Sequence, residues 1–217
     1  PVLWESFMLK VYYANIVPLR EVISRERNML LIPEARRERL VKLKSEEEQL
    51  RGLAVSVLLR IALEEEGVSF DTLEFARGAH GKPYIVDCEI YFNVSHAGEY
   101  ALCAVCDQEV GVDVESLTRL DEHPNQVMRI AERILTDKER KLWEQSGMNA
   151  SELLRIWTRK ESYAKREGRG LSIGLESVDT TENAFYQERQ LKDDYYMTVC
   201  TAHESEPMQV FDLTDRL

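Results

Sequence analysis

At 217 residues the chain is long enough for one large domain or two compact halves, and its 44% hydrophobic and 31% charged side chains are the balance of a globular protein that buries a core. Its 39 acidic against 28 basic side chains leave a net charge of −11, which argues against a general nucleic-acid binder, because affinity there comes mostly from neutralised phosphates. No apolar run is long enough to span a bilayer and no leader pattern is visible, so no membrane association is expected and the cytoplasm is the expected compartment.

Residues 2–17 alternate well enough for a strand. Pro33 and Glu34 open a helical stretch, with proline early and acid near the amino end. It carries Arg36, Arg37, Arg39, Lys42 and Lys44, a basic cluster that by itself fits a solvated helix face as well as an anion site. From Leu50 the apolar residues Leu53, Ala54, Val57, Leu58, Ile61 and Ala62 recur at three and four, predicting an amphipathic helix closed by Gly67. Strands are expected over 68–75, 90–94, 100–106 and 109–115, with a turn at 78–83 and the linker 95–99. Helices follow over 126–134, 137–145 (with Thr136 or Asp137 as cap) and 152–167, the last stopped by Gly168 and Gly170. Strand-like segments return at 177–181, 185–191 and 195–202. Each round runs helix, glycine, short apolar-polar segment, a faint echo of duplication with its seam near residue 110. The expected class is α/β (α+β), with halves 1–110 and 111–217. The lone C-x-x-C of Cys103 and Cys106 has no second ligand pair, so these read, with Cys88 and Cys200, as free thiols rather than a zinc site.

Three carboxylates carry the chemical signal. Asp113 and Glu115 lie two apart in a strand-like run, so both acids face one side and Val112 and Val114 the other. Close carboxylates repel unless a cation or proton relieves them, and a hard divalent metal is a natural occupant, although an isolated pair fits a solvent-facing edge equally well. Trp157, Glu161 and Lys165 recur at four-residue steps on one helical face, offering a third ligand and a lysine for phosphate charge. Ser95 and His96, at the end of a strand, offer donors to an anion. Adjacent residues do not easily form a hydrolase relay. Lys82 and Pro83 make a rigid turn with one cation.

The order G-K-P at 81–83, F-N-x-S-H at 92–96, G-x-D-x-E at 111–115, W-x-x-K-E-S-x-x-K at 157–165 and G-x-G-L-S at 168–172 resembles the 4′-phosphopantetheinyl transferase superfamily, in layout its larger, surfactin-synthetase-activating type. Looser similarity spans roughly 30 to 205. The resemblance implies two similar α/β halves in pseudo-twofold arrangement with coenzyme A at their junction. It implies that Asp113, Glu115 and Glu161 hold magnesium bridging to the diphosphate of coenzyme A, which Lys165 contacts. Ser95 and His96 would bind the nucleotide's phosphates, Lys82 and Pro83 would lie against the adenine, and Arg51 with Arg36 and Arg39 would meet the 3′-phosphate. Gly52 stands where some relatives have a hydroxyl. The implied reaction moves 4′-phosphopantetheine from coenzyme A to a serine of an apo acyl or peptidyl carrier protein and releases 3′,5′-ADP. Glu161, directly or through a water it orients, would take the serine proton, and a monomer is expected. Two rivals remain on residues alone: a non-catalytic binder of coenzyme A or a carrier, and a metal-dependent nuclease, against which the acidic charge and the helical E-x-x-x-K spacing weigh.

Overall fold

The computed structural model describes residues 9–118, 124–182, 185–192 and 194–217. Strand β1 (Lys10–Asn15) lies inside a four-stranded sheet of order β4-β5-β1-β9. It runs antiparallel to β5 (Tyr100–Cys106), Lys10 facing Val105, and parallel to β9 (Gln209–Asp212). The edge strand β4 (Tyr91–Ala97) joins β5 through a tight turn at Gly98, φ +49, where an added Cβ would sit 2.0 Å from the Tyr195 hydroxyl. Every residue of β5 is buried, and its two faces serve different cores. Cys103 and Val105 face the long helix α3 (Glu46–Glu65), while Leu102, Ala104 and Cys106 pack with Val112, Val114 and Val199 of the second sheet. Burial raises the Cys103 thiol and pushes that of Cys106 up to about 11, so both are inert packing groups.

Helix α3 starts where the Ser45 side chain accepts the Glu48 N–H, with Glu46, Glu47 and Glu48 in the first turn, where acids favour the helix dipole. The expected apolar stripe is too narrow a description: Gly52 through Leu58 are all buried. The sheet covers one side, and α1 (Val22–Met29) and α2 (Glu34–Leu40) pack on the helix as well. Arg36, Arg37 and Arg39 ride on α2.

The second sheet has the order β6-β8-β7, all antiparallel: β6 (Val110–Ser116), β8 (Tyr195–Thr201) and β7 (Phe185–Gln190). Helix α6 (Ala150–Glu167) packs on β6 and β8, capped by the Asn149 side chain and ended by Gly168 at φ +67. It comes so close to β6 that a Cβ on Gly111 would stand 2.0 Å from the Ser162 carbonyl oxygen and 2.4 Å from the Arg166 nitrogen. Helices α4 (Pro124–Ile134) and α5 (Asp137–Gln145) complete this side, which has its own core around Trp143, Leu153 and Ile156. The expected cap holds: Thr136 and Glu139 form a reciprocal capping box. The buried Glu139 also pairs with the fully buried Lys160 of α6 at 2.7 Å and accepts from the Thr180 N–H and hydroxyl. Burial opposes its ionisation, but Lys160 and these donors outweigh it and hold its pKa low.

Three expectations need correction. Residues 68–75 are not one strand but a 3-10 turn at Phe70–Thr72 followed by β2 (Phe75–Arg77), which pairs with β3 (Pro83–Ile85). The segment expected as a strand at 177–181 follows a 3-10 turn at Leu175–Ser177 and is held to Glu139 by Thr180 rather than by a ladder. Strand β4 continues to Ala97, so Ser95 and His96 stand on the strand and not in the turn. Strand β9 was missed, because its four residues are too few for a periodic signal. The part of the 2–17 expectation before Leu9 lies outside the described residues.

Gly111→Ala should cost about 3 kcal/mol or more, at the upper end of overpacking penalties, because the obstructing atoms are backbone and cannot rotate away. Urea unfolding of the variant against the parent protein measures it.

Candidate functional site

Three elements converge on a cleft of about 680 Å³. Strand β6 brings Asp113 and Glu115, which its pleat turns to one face. Helix α6 brings Trp157, Glu161 and Lys165, aligned at four-residue steps as the sequence spacing requires. Strand β4 brings Ser95 and His96. Arg36 of α2 and Gly52 of α3 line the same cleft.

Asp113 is the centre of this constellation. It is 5% exposed, and its Oδ1 accepts from the Lys165 ammonium at 2.6 Å and from the Ser95 hydroxyl at 3.0 Å. Lys165 also donates to Ser95 Oγ at 2.8 Å, closing a triangle of serine, lysine and aspartate. The other carboxylate oxygen, Oδ2, is buried without a hydrogen-bond partner, as is Trp157 Nε1. Orphaned polar atoms of this kind are rare in folded proteins and call for a partner that arrives from outside the chain. Glu161 has its pKa raised, first by burial and then by the negative charge of Asp113, with Lys165 pulling the other way. The Asp113 charge thus adds to burial in disfavouring the ionised form of Glu161, and Lys165 does not fully compensate.

Among the described residues no three His, Cys, Asp or Glu side chains converge closely enough to enclose a metal ion. The donor set fits a different kind of site. A small hard cation such as magnesium takes one or two carboxylates and fills its remaining positions with water and substrate oxygens. The unpartnered Oδ2 of Asp113, with Glu115 and Glu161 lining the same cleft, offers carboxylate oxygens from which such a site could be built.

The cationic side lies at the other end. Arg36 donates to Ser56 Oγ at 2.9 Å and to the Gly52 carbonyl at 3.3 Å; burial and the charges of Arg39 and Arg77 lower its pKa. A guanidinium at the cleft wall with other cations close behind it favours an approaching anion. Arg39 and Arg51 do not themselves line the cleft, and Arg51 donates to the Gly98 carbonyl at 3.2 Å. His96 keeps solvent contact, yet the protein around it and the charges of Arg51 and Lys165 lower its pKa. Lys82 and Pro83 are also absent from the cleft wall. The Lys82 ammonium is engaged instead by Glu109 and by the carbonyls of Val110 and Arg166.

Sequence reasoning missed several participants. Asn93 accepts the Val112 N–H at 3.0 Å, although it stood in plain sight two residues before Ser95, on the same strand face. Arg77 belongs to the cationic group around Arg36, which only the β2-β3 hairpin makes visible. A second cleft of about 770 Å³ shares Trp157 and Glu161 with the first and is walled by Arg129, Arg133 and Leu175. Nothing in the spacing of those arginines signals it.

Comparison with known proteins matches residues 109–211 to a family model described as the 4′-phosphopantetheinyl transferase superfamily, and residues 23–108 to one described as 4′-phosphopantetheinyl transferase, N-terminal. The chain is 26% identical over 204 residues to the 4′-phosphopantetheinyl transferase Sfp of Bacillus subtilis (strain 168), an alignment covering 85% of this chain and 88% of that protein. It is 32% identical over 134 residues to the 4′-phosphopantetheinyl transferase AcpT of Salmonella typhimurium, 59% of this chain and 67% of that protein. With the 4′-phosphopantetheinyl transferase gsp of Aneurinibacillus migulanus it shares 30% identity over 148 residues, 64% of this chain but only 59% of the relative's length.

His96 should titrate below the usual histidine value of about 6.5. Between the two values the unfolded chain binds more protons, so this residue's contribution to stability is present above the unfolded value and is lost as pH falls through the lower, folded one. Lys165→Met should move the His96 titration upward, because a cation is removed; NMR titration of the imidazole reads the shift.

Proposed function

Since the chain belongs to the 4′-phosphopantetheinyl transferase superfamily and is an enzyme of that kind, we propose that it transfers the phosphopantetheine arm of coenzyme A to a serine of an apo acyl or peptidyl carrier protein through the cleft centred on Asp113. The observation that carries the reading is the buried, half-satisfied Asp113 carboxylate beside Glu115, Glu161 and Lys165. In this proposal Asp113, Glu115 and Glu161 hold magnesium. When bound, the ion neutralises diphosphate charge and favours departure of 3′,5′-ADP.

The chain's own groups supply the rest. Lys165 turns from Asp113 and Ser95 to the diphosphate oxygens and stabilises charge developing on the transferring group. Ser95 and His96 meet the nucleotide's phosphates from β4, while Arg36, with Arg39 and Arg51 nearby, attracts the 3′-phosphate. Glu161 accepts the proton of the incoming serine hydroxyl, a role its raised pKa suits. Trp157 and Glu161 border both clefts, so the serine reaches Glu161 from the second cleft, where Arg129 and Arg133 face an acidic carrier. The two sheets, each with a long helix across it, act as the two halves of the enzyme, with the chain crossing between them near residue 110 and β9 returning to the first sheet. The working protein is a cytoplasmic monomer; among the described residues no helix is long and apolar enough to cross a membrane.

Glu161→Gln should lower turnover by about 10²–10⁴-fold, the usual weight of general acid-base catalysis, while coenzyme A binding changes little. Asp113→Ala should abolish transfer, and raising the magnesium concentration should not restore it. Steady-state transfer assays paired with calorimetry of coenzyme A binding check both. Normal turnover in Glu161→Gln would remove Glu161 from the proton transfer.

A further inference from the structure

Strands β4 and β6 belong to different sheets and share no backbone ladder, yet they lie side by side along the cleft. The outer edge of β6 therefore offers backbone groups that no strand pairs. Side chains from the first-sheet side meet them in order. The Lys82 ammonium donates to the Val110 carbonyl at 3.3 Å, Asn93 Oδ1 accepts the Val112 N–H at 3.0 Å, and the Ser95 hydroxyl donates to the Asp113 carboxylate at 3.0 Å. Asn93 and Ser95 lie two apart on one face of β4; Asn93 meets the backbone edge of β6 at Val112, Ser95 meets the Asp113 side chain, and Lys82 reaches Val110 from the turn before β3.

Lys82 makes a further contact, to the Arg166 carbonyl at 2.7 Å in the last turn of α6. Carbonyls there lack intrahelical partners, and a cation is favoured at that end of a helix. The stem of Lys82 lies against Gly168, where a Cβ would come within 3.1 Å of Lys82 Cδ. One ammonium thus joins the 78–82 turn, the start of β6 and the end of the helix that carries Glu161 and Lys165. Its partners Val110, Arg166 and Glu109 occupy it fully as the chain stands.

We propose that Lys82 and Asn93 are positioning residues: they stitch the edge of β6 to the first-sheet side and so fix Asp113, Glu161 and Lys165 opposite Ser95 and His96. This rests on the function proposed above and assigns Lys82 to geometry rather than to adenine contact. Displacement of catalytic groups by about an ångström is enough to slow a reaction by orders of magnitude without weakening substrate binding.

Lys82→Met keeps the stem and deletes the ammonium. It should lower kcat on the order of tenfold or more while leaving KM for coenzyme A within about twofold, and Lys82→Arg should restore much of the loss. Asn93→Leu keeps volume and removes the acceptor; hydrogen exchange should then speed up at the Val112 amide and the end of α6. A raised KM for coenzyme A with kcat intact in Lys82→Met would overturn the proposal, as would a lowered Tm with unchanged kcat. Unchanged exchange in Asn93→Leu would also overturn it. If the parent protein modifies no carrier, the proposed function fails, and the exchange measurement still decides whether the seam exists.

Discussion

The arrangement of the site depends on one buried carboxylate. Asp113 sits 5% exposed between two sheets that share no ladder, and its ionised form is tolerable because Lys165 and Ser95 both donate to the same oxygen. Lys165 comes from the second-sheet helix and Ser95 from the first-sheet edge strand, so the contact that keeps the charge buried is also the contact that joins the two sides. Truncating either donor leaves a buried charge short of a partner, the kind of change that costs several kcal/mol. The remaining oxygen is buried without a hydrogen-bond partner. A site prepared in this way has met part of the cost of desolvation in folding and directs the rest toward whatever cation or phosphate enters.

Helix α6 divides its labour by face. Glu161 and Lys165 look into the cleft, while Lys160, one residue from Glu161, points the opposite way into the protein. There it pairs with Glu139 and donates to the Leu175 and Val178 carbonyls, tying the helix to α5 and to the segment that walls the second cleft. A pair with both partners this deep contributes modestly to net stability compared with an apolar replacement, but losing one partner costs about 3–5 kcal/mol. Its effect is to hold the helix in one rotation, which in turn fixes where Glu161 points. Gly111 sets the other coordinate, the depth of the helix against β6.

Much of this could be read from residue order. The i, i+2 acids on β6 and the i, i+4 set on α6 were legible because strand and helix periods translate directly into facing side chains, and the three helices of the second side, with the Thr136 cap, follow the same logic. The local strand expectations at 68–75 and 177–181 failed where tertiary contacts rather than periodicity decide the backbone, as with Thr180 on Glu139. Lys82 drew attention as a cation in a turn, but its partners lie 27 to 84 residues away and no local pattern encodes them. Asn93 stands within F-N-x-S-H with no role legible in the sequence, since its role exists only once β6 is laid beside β4. Lys160 was equally silent: nothing in W-x-x-K-E-S-x-x-K distinguishes the lysine that faces substrate from the one that faces the core.

The central claim is that the Asp113 cleft loads a carrier protein, and intact-protein mass spectrometry tests it most directly. An apo carrier incubated with this protein, coenzyme A and magnesium should gain the mass of one phosphopantetheine, and the gain should vanish with EDTA. No gain across acyl and peptidyl carriers, with coenzyme A still bound, would contradict the account and leave the cleft as a binding site without transfer.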